Sequence, residues 1–489
     1  MKKSGASIDS IVLTFVKLLT IGLSFVIVKI LSTQLSLSDY GSYSAAMVLV
    51  SVGSSICIMG MLDATNFFFN QSATLEDHKR VVSTIFFIEV VIGSLFAAVA
   101  LIFREQLAAY FGIRELASLI GWVAWLPLMT NLISIYQILY ISKHQTKLIG
   151  AISFVATLLK LAYISYLCFS TQNLKMIFLC MLCFELFQTV LMGVVFFKIS
   201  KIGLSIKAVN FRSICQILKF AVPMGAYIWV NTLTREADKV IVSHLGGAEE
   251  LALYTNAAKL LPLDILTGAF MTVLIPYITR YLAKGKGQAA AEALSYFFQI
   301  SMLAIWGLAL GIFLQPEGLI TILYSKEYIP AKTVFVLYVV VDMVRFAQTS
   351  ILFSAKGKSV LLLRYSIIML VANIGLDFLF YRMMGFVGPA IATVIVNIVQ
   401  SAYMIKKGAE LISQPVSSLM PSRALWKLLA RLTAAFLLGI IIHKIVEVLI
   451  LDLSMEFIIT YACYLVVVIA LNYKQAFLII KKINKLAIE

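Results

Sequence analysis

Charge is scarce in this chain. Of its 489 residues only 13% are Asp, Glu, Lys or Arg, and acids are the rarer kind, 24 against 40 bases. A water-soluble domain of this length needs far more polar surface, so a single soluble core is excluded. Proline is also sparse, 9 in all, and the 6 cysteines lie in or beside apolar runs. Cys57, Cys168, Cys180, Cys183, Cys215 and Cys463 read as small buried hydrophobes rather than a disulfide framework. Cys180 and Cys183 are helical neighbours, but alone they lack half the ligands of a structural zinc site. Motifs of enzyme chemistry are missing too: no GxxxxGK[ST] phosphate loop, no nucleotide-binding glycine fingerprint, no HExxH pair. Ser38, His144 and Asp63 are residue types of a hydrolytic triad, yet the expected topology puts His144 on the side of the membrane opposite the other two.

What the chain has instead is apolar length. Its mean hydropathy is +0.97, and runs of about 20 apolar residues recur from IVLTFVKLLTIGLSFVIVKIL to YACYLVVVIALNY. Each is long enough to cross the hydrocarbon as a helix that satisfies its own backbone groups. The expectation is an all-α polytopic membrane protein with about fourteen spans, over 11–31, 41–62, 82–103, 117–140, 147–169, 175–197, 214–234, 251–277, 290–313, 329–352, 360–381, 384–405, 426–448 and 456–473. The 360–405 stretch must turn near Gly385 if it holds two of them. With the N-terminus inside, basic residues crowd the cytoplasmic segments, among them Lys2, Lys3, Lys79, Arg80, Lys143, Lys147, Lys198, Lys201, Lys406 and Lys407. The alternate segments hold few, chiefly Arg104, Arg114, Lys239, Lys326, Arg382 and Lys444. That asymmetry predicts both ends in the cytoplasm, and makes the net charge of +16 a topology signal rather than a nucleic-acid surface.

No linker is wide enough for a soluble domain. The segment 198–213 alternates basic and apolar residues and is expected to lie along the cytoplasmic membrane surface. No small-x-small cleavage site precedes residue 35, so the first span is expected to stay. Pro415 and Pro421 mark a break before the last two spans. The expected organisation is therefore a six-helix lobe with its linker over 1–213, a second six-helix lobe over 214–410, and a two-span extension over 411–489. A short repeat supports the paired lobes: IVKILSTQLSLSDYGSYSAA returns, about 211 to 214 residues later, as IVSHLGGAEELALYTNAAKLL at the equivalent place in the second set of six. Two parallel lobes around a cavity are the shape of an alternating-access transporter. The glycines in the spans read as helix packing.

An unpaired charge inside a span costs several kcal/mol, so such residues mark a path, a partner or a snorkelling side chain. Lys17, in the first span, fits either a cavity-facing cation or a snorkelling one. Asp63 closes the second span, and TREADK after the seventh concentrates Arg235, Glu236, Asp238 and Lys239, either a substrate gate or a local salt-bridge network. Lys259 and Asp264 flank Pro262, which breaks a helix where the polar pair sits. Asp342 and Arg345, three residues apart, share a helix face and either neutralise each other or leave the guanidinium for a phosphate. Lys160, Glu89, Glu185 and Asp377 complete the set. Across Lys17, Lys160, Arg235, Lys239, Lys259 and Arg345 the cations outnumber nearby acids, which points to an anionic cargo such as a phosphate or pyrophosphate headgroup.

Three segments together resemble bacterial polysaccharide-biosynthesis membrane proteins, especially O-antigen repeat-unit flippases of the multidrug/oligosaccharidyl-lipid/polysaccharide exporter (MOP) superfamily. They hold Asp39, Tyr40, Gly41 and Tyr43; Asp238, Leu245, Gly246 and Tyr254; and Asn373, Gly385, Gly388 and Ala390. The resemblance implies two six-helix lobes plus two helices in the bacterial inner membrane. It also implies a polyprenyl-pyrophosphate-linked oligosaccharide moved from the cytoplasmic to the periplasmic leaflet, with membrane lipid, a polysaccharide polymerase and chain-length machinery as partners, and no bond broken. No cofactor is implied; a proton or a sodium gradient stands as the coupling source, unless substrate supply drives the movement downhill. A flippase for a lipid-linked peptidoglycan precursor, a drug or cation antiporter and a non-transporting scaffold are the alternatives.

Overall fold

The computed structural model describes residues 3–261, 263, 274, 277–347, 349–450 and 452–486. Through its first half the chain runs α1 (Lys3–Gln34), α2 (Leu37–Ile58), α3 (Met61–Gln71), α4 (Leu75–Ile102), α5 (Arg104–Tyr110), α6 (Leu116–Val123), α7 (Leu126–Ser142), α8 (Thr146–Ser170), α9 (Leu174–Ser200) and α10 (Phe211–Ala257). The second half adds α11 (Gly287–Leu314), α12 (Pro316–Leu323), α13 (Lys332–Val344), α14 (Ser350–Ala355), α15 (Ser359–Met384), α16 (Gly388–Leu411), α17 (Val416–Leu419), α18 (Ser422–Leu449) and α19 (Leu453–Leu486). Polar residues set several starts. Ser36 caps α2 through Asp39 N, Thr74 caps α4 through Asp77 N, and Asn173 caps α9 through the backbone of Lys175 and Met176.

Among the described residues ten helical runs are long and apolar enough to cross a membrane. The chain is thus an all-α, multi-pass membrane protein. The ten differ from the expected fourteen for local reasons. In the first span the apolar described part is short, Leu18–Gln34. About half of the eighth falls on residues outside the description. The tenth is interrupted, because α13 stops at Val344 and α14 begins only at Ser350. The eleventh and twelfth form one run over Val360–Leu411 that turns at Gly385 (φ +63°).

Contacts divide the chain into two compact units, Met1–Ala252 and Leu253–Glu489. In the first, the core gathers on α3, α4, α7 and α9. Phe86 packs on Tyr136 (4.8 Å between ring centroids), Tyr140 on Phe196 (5.4 Å), and the Tyr140 hydroxyl donates to the Met192 carbonyl (2.9 Å). The most apolar part of Leu116–Ser142 is 67% buried whereas that of Thr146–Ser170 is 17% buried, so α7 is central and α8 faces outward. In the second unit α11 is central, with 72% of its most apolar part buried and α18 and α19 packed on it. The Tyr461 hydroxyl donates to the Leu308 carbonyl (3.1 Å), and Gly311 admits the rings of Tyr461 and Tyr464.

Two glycines carry the bends that matter. α2 ends in left-handed backbone at Met59 and Gly60 (φ +77°), and a Cβ on Gly60 would strike the Ala221 carbonyl of α10. Gly247 (φ +75°) interrupts α10, which as an unbroken helix of 47 residues would run about 70 Å, more than twice the hydrocarbon thickness. The two halves of the sequence repeat share this device: one breaks before Leu37 at its Ser36 cap, the other at Gly247.

Two expectations change here. TREADK is not in a loop but inside α10, and the second span does not end at Asp63, because the chain re-enters helix at Met61 and continues to Gln71. The linker after α9 holds one short 3-10 turn, Ile206–Ala208, with Ile206 and Phe211 almost fully exposed and the Ser205 N–H bonded to Ser83 Oγ (3.0 Å).

Candidate substrate path

The polar residues of α10 meet α2. Glu236 is buried and accepts from Lys239 Nζ (2.8 Å) and Ser51 Oγ (2.9 Å), while Arg235 Nε lies 3.4 Å from the same carboxylate. A helix interior delivers this arrangement because residues three apart share a face. Lys239 is nearly buried, with 12% of its side chain accessible; the Arg235 side chain is 57% accessible. Only the Nε of Arg235 faces Glu236, and among the described residues its two terminal nitrogens have no ion-pair partner, which leaves the fork that binds phosphate or carboxylate. Asp238 is buried and its Oδ1 accepts from the Lys239 N–H (2.7 Å).

A second polar site lies where α2, α4 and α7 converge. Glu89 of α4 is wholly buried; its Oε1 accepts from Asn131 Nδ2 (2.8 Å), which also donates to the Ser54 carbonyl (3.0 Å). Ser54 Oγ and Thr130 Oγ1 are 3.0 Å apart beside it.

Elsewhere in the first unit, Lys160 of α8 is 2.6 Å from Glu185 of α9. In the second unit the Asp342 carboxylate accepts from the Leu261 N–H (3.0 Å), an amide freed because α10 has ended at Ala257. Arg345 caps the end of α13, is exposed, and forms no ion pair among the described residues. On α15, Asn373 Nδ2 donates to Asp377 Oδ1 (2.7 Å), both fully buried.

Of the residues expected on a path, the structure brings Arg235, Asp238 and Lys239 into one turn of α10, with Glu236 between the two bases. It gives Lys160 its own acid. It leaves Asp63 exposed in the first turn of α3 and Lys259 half-buried just beyond α10. Asp342 and Arg345 share no ion pair, because the helix that would have kept them on one face stops between them. The Lys17 side chain and Asp264 lie outside the described residues. Absent from that expectation were Ser51 and Asn131, which engage Glu236 and Glu89 from 185 and 42 residues away. Nothing local in the sequence signals such pairings.

Comparison with protein families matches residues 30–333 to one described as polysaccharide biosynthesis protein. Comparison with individual curated proteins finds no match. Among solved structures, the lipid II flippase MurJ in an inward closed conformation aligns over 96% of this chain and 99% of its own, with TM-score 0.68 and 16% identity. An inward-facing multidrug resistance MATE family transporter aligns over 78% and 94%, with TM-score 0.63 and 15% identity. A MOP superfamily transporter from Pyrococcus furiosus aligns over 83% and 94%, with TM-score 0.54 and 14% identity. The fold is the one these transporters share.

Proposed function

We propose that this chain, which belongs to the polysaccharide biosynthesis protein family, is a flippase that carries a polyprenyl-pyrophosphate-linked oligosaccharide from the cytoplasmic to the periplasmic leaflet of the inner membrane. It is a transporter, and no bond is made or broken. The observation that carries the proposal is the family match over residues 30–333. The repeated helix break at Ser36 and Gly247 supports fourteen spans in two six-helix lobes plus two further helices, and the distribution of basic residues supports cytoplasmic termini.

In this mechanism the headgroup enters from the cytoplasmic leaflet and the lipid tail stays in the bilayer. Arg235 and Arg345 are the cations best suited to hold the pyrophosphate, since both guanidinium groups are exposed and neither is spent on a close bidentate pair. Lys160 and Lys239 are already neutralised and serve to position helices. Rocking of the lobes then exposes the glycan outside.

A lipid-linked peptidoglycan precursor is the second cargo to consider. The likeness to MurJ extends over nearly all of both chains, including the last helices, whereas the multidrug transporter leaves about a fifth of this chain unmatched. Proteoliposomes offered fluorescent lipid II and a fluorescent polyprenyl-pyrophosphate oligosaccharide in parallel separate the two. The proposal expects faster translocation of the oligosaccharide; preference for lipid II assigns the chain to the second reading.

A further inference from the structure

We propose that Glu89 is a proton-binding site of the first unit, holding its proton while α2, α4 and α7 are packed and releasing it only when that packing opens. Glu89 is 0% exposed and lies in the middle of a membrane-spanning helix. One carboxyl oxygen accepts from Asn131 Nδ2, and the other, Oε2, has no hydrogen-bond partner among the described residues. That asymmetry is what a neutral acid needs: a carbonyl oxygen that accepts, and a hydroxyl. An ionised carboxylate with one oxygen bare in a dry interior would lose several kcal/mol of solvation without compensation.

Among the described residues the surroundings offer no counter-charge. On α2 the nearest titratable group is Cys57, a buried thiol that supplies no positive charge. α7 contributes Tyr136 and Tyr140, the latter engaged with the Met192 carbonyl. α3 contributes only Asp63, and α6 has no charged residue. On α5, Arg104 is exposed and paired with Glu105; on α4 itself the nearest base, Arg80, is two and a half turns away and paired with Asp77. Lys207 lies in the exposed linker turn that touches α4. A metal cation needs several oxygen ligands, whereas a proton needs the single one that Glu89 leaves free.

Glu89 and the Glu236 cluster share one scaffold, since Ser51 and Ser54 lie three residues apart on α2 and engage Glu236 and Asn131 respectively. Movement of α2 away from α4 and α7 parts the Ser54 carbonyl from Asn131 and admits water to Glu89, and the acid then ionises. If the chain is the flippase proposed above, the proton so released is its coupling ion; proton binding itself does not depend on that reading.

The test uses the full chain reconstituted in lipid and followed by infrared difference spectroscopy of the protonated carboxyl band through a pH titration. The wild type is expected to keep, at neutral pH, a band that Glu89→Gln lacks. Asn131→Leu removes a donor that favours the ionised form, so its band should persist to higher pH than in the wild type. No such band in the wild type, or one undiminished in Glu89→Gln, overturns the proposal. So does an Asn131→Leu titration that stays in place, which also serves should Glu89→Gln fail to insert, and so does loss of the wild-type band on adding sodium at constant pH. Failure of translocation by a wild type that keeps the band would instead count against the flippase and leave the proton site standing.

Discussion

Lys239 shows how a single acid decides the state of its neighbours. Its ammonium is almost buried and is held by Glu236, which Ser51 also engages from α2. Glu236→Gln would strand that cation, and breaking one side of a buried pair costs about 3 kcal/mol. Thermal unfolding in detergent should therefore show a much less stable protein, with stability largely recovered in Glu236→Gln/Lys239→Met, where both charges are gone. Arg235, one residue earlier, behaves differently because most of its guanidinium is open. Arg235→Ala should leave the melting temperature nearly unchanged and reduce translocation of a pyrophosphate-linked cargo about tenfold or more, since a charge-assisted pair lost from a binding site is worth at least 1.4 kcal/mol. Equal loss of stability in both variants would mean that Arg235 is structural. The candidate residues were visible in the sequence as charges in apolar surroundings, but their division of labour was not. Which base is spent on an acid depends on Glu236 reaching Ser51 across 185 residues, and on Lys160 meeting Glu185 across 25.

At the scale of elements, the long α10 makes a close approach to the end of α2. Its Gly225 lies so close to the Met59 backbone that a Cβ there would collide with main-chain atoms, and those cannot rotate away. Gly225→Val should lower the yield of monodisperse protein by size-exclusion chromatography, whereas Gly203→Val, in open surroundings, should not. Normal yield from Gly225→Val would show that α10 does not depend on this approach. Most spans were legible in the sequence because an apolar run of membrane length has few other fates. Where legibility failed, polar sequence misled: TREADK reads as a loop on composition alone, yet its charges are satisfied within one helix turn and against α2, so the helix continues through it. The opposite occurs in the tenth span, whose apolar residues promise continuity while α13 ends at Val344.

For the whole molecule, orientation comes first. The proposed topology, with the N-terminus inside, puts His144 in a cytoplasmic turn and Gln172 in a periplasmic one. In a background with the six cysteines replaced by alanine, a membrane-impermeant maleimide added to intact cells should label Gln172→Cys and spare His144→Cys. The reverse pattern would invert the topology and with it the direction of transport. The breaks at Ser36 and Gly247 fall at equivalent places in the sequence repeat, as the proposed mechanism of two rocking parallel repeats expects. The most direct measurement is translocation of fluorescent polyprenyl-pyrophosphate oligosaccharide in proteoliposomes, comparing the intact protein with Arg235→Ala and Arg345→Ala at equal insertion. A flippase with a cationic path moves the lipid and slows in both variants. No movement by the intact protein across several glycans, or unchanged rates in both variants, would contradict it.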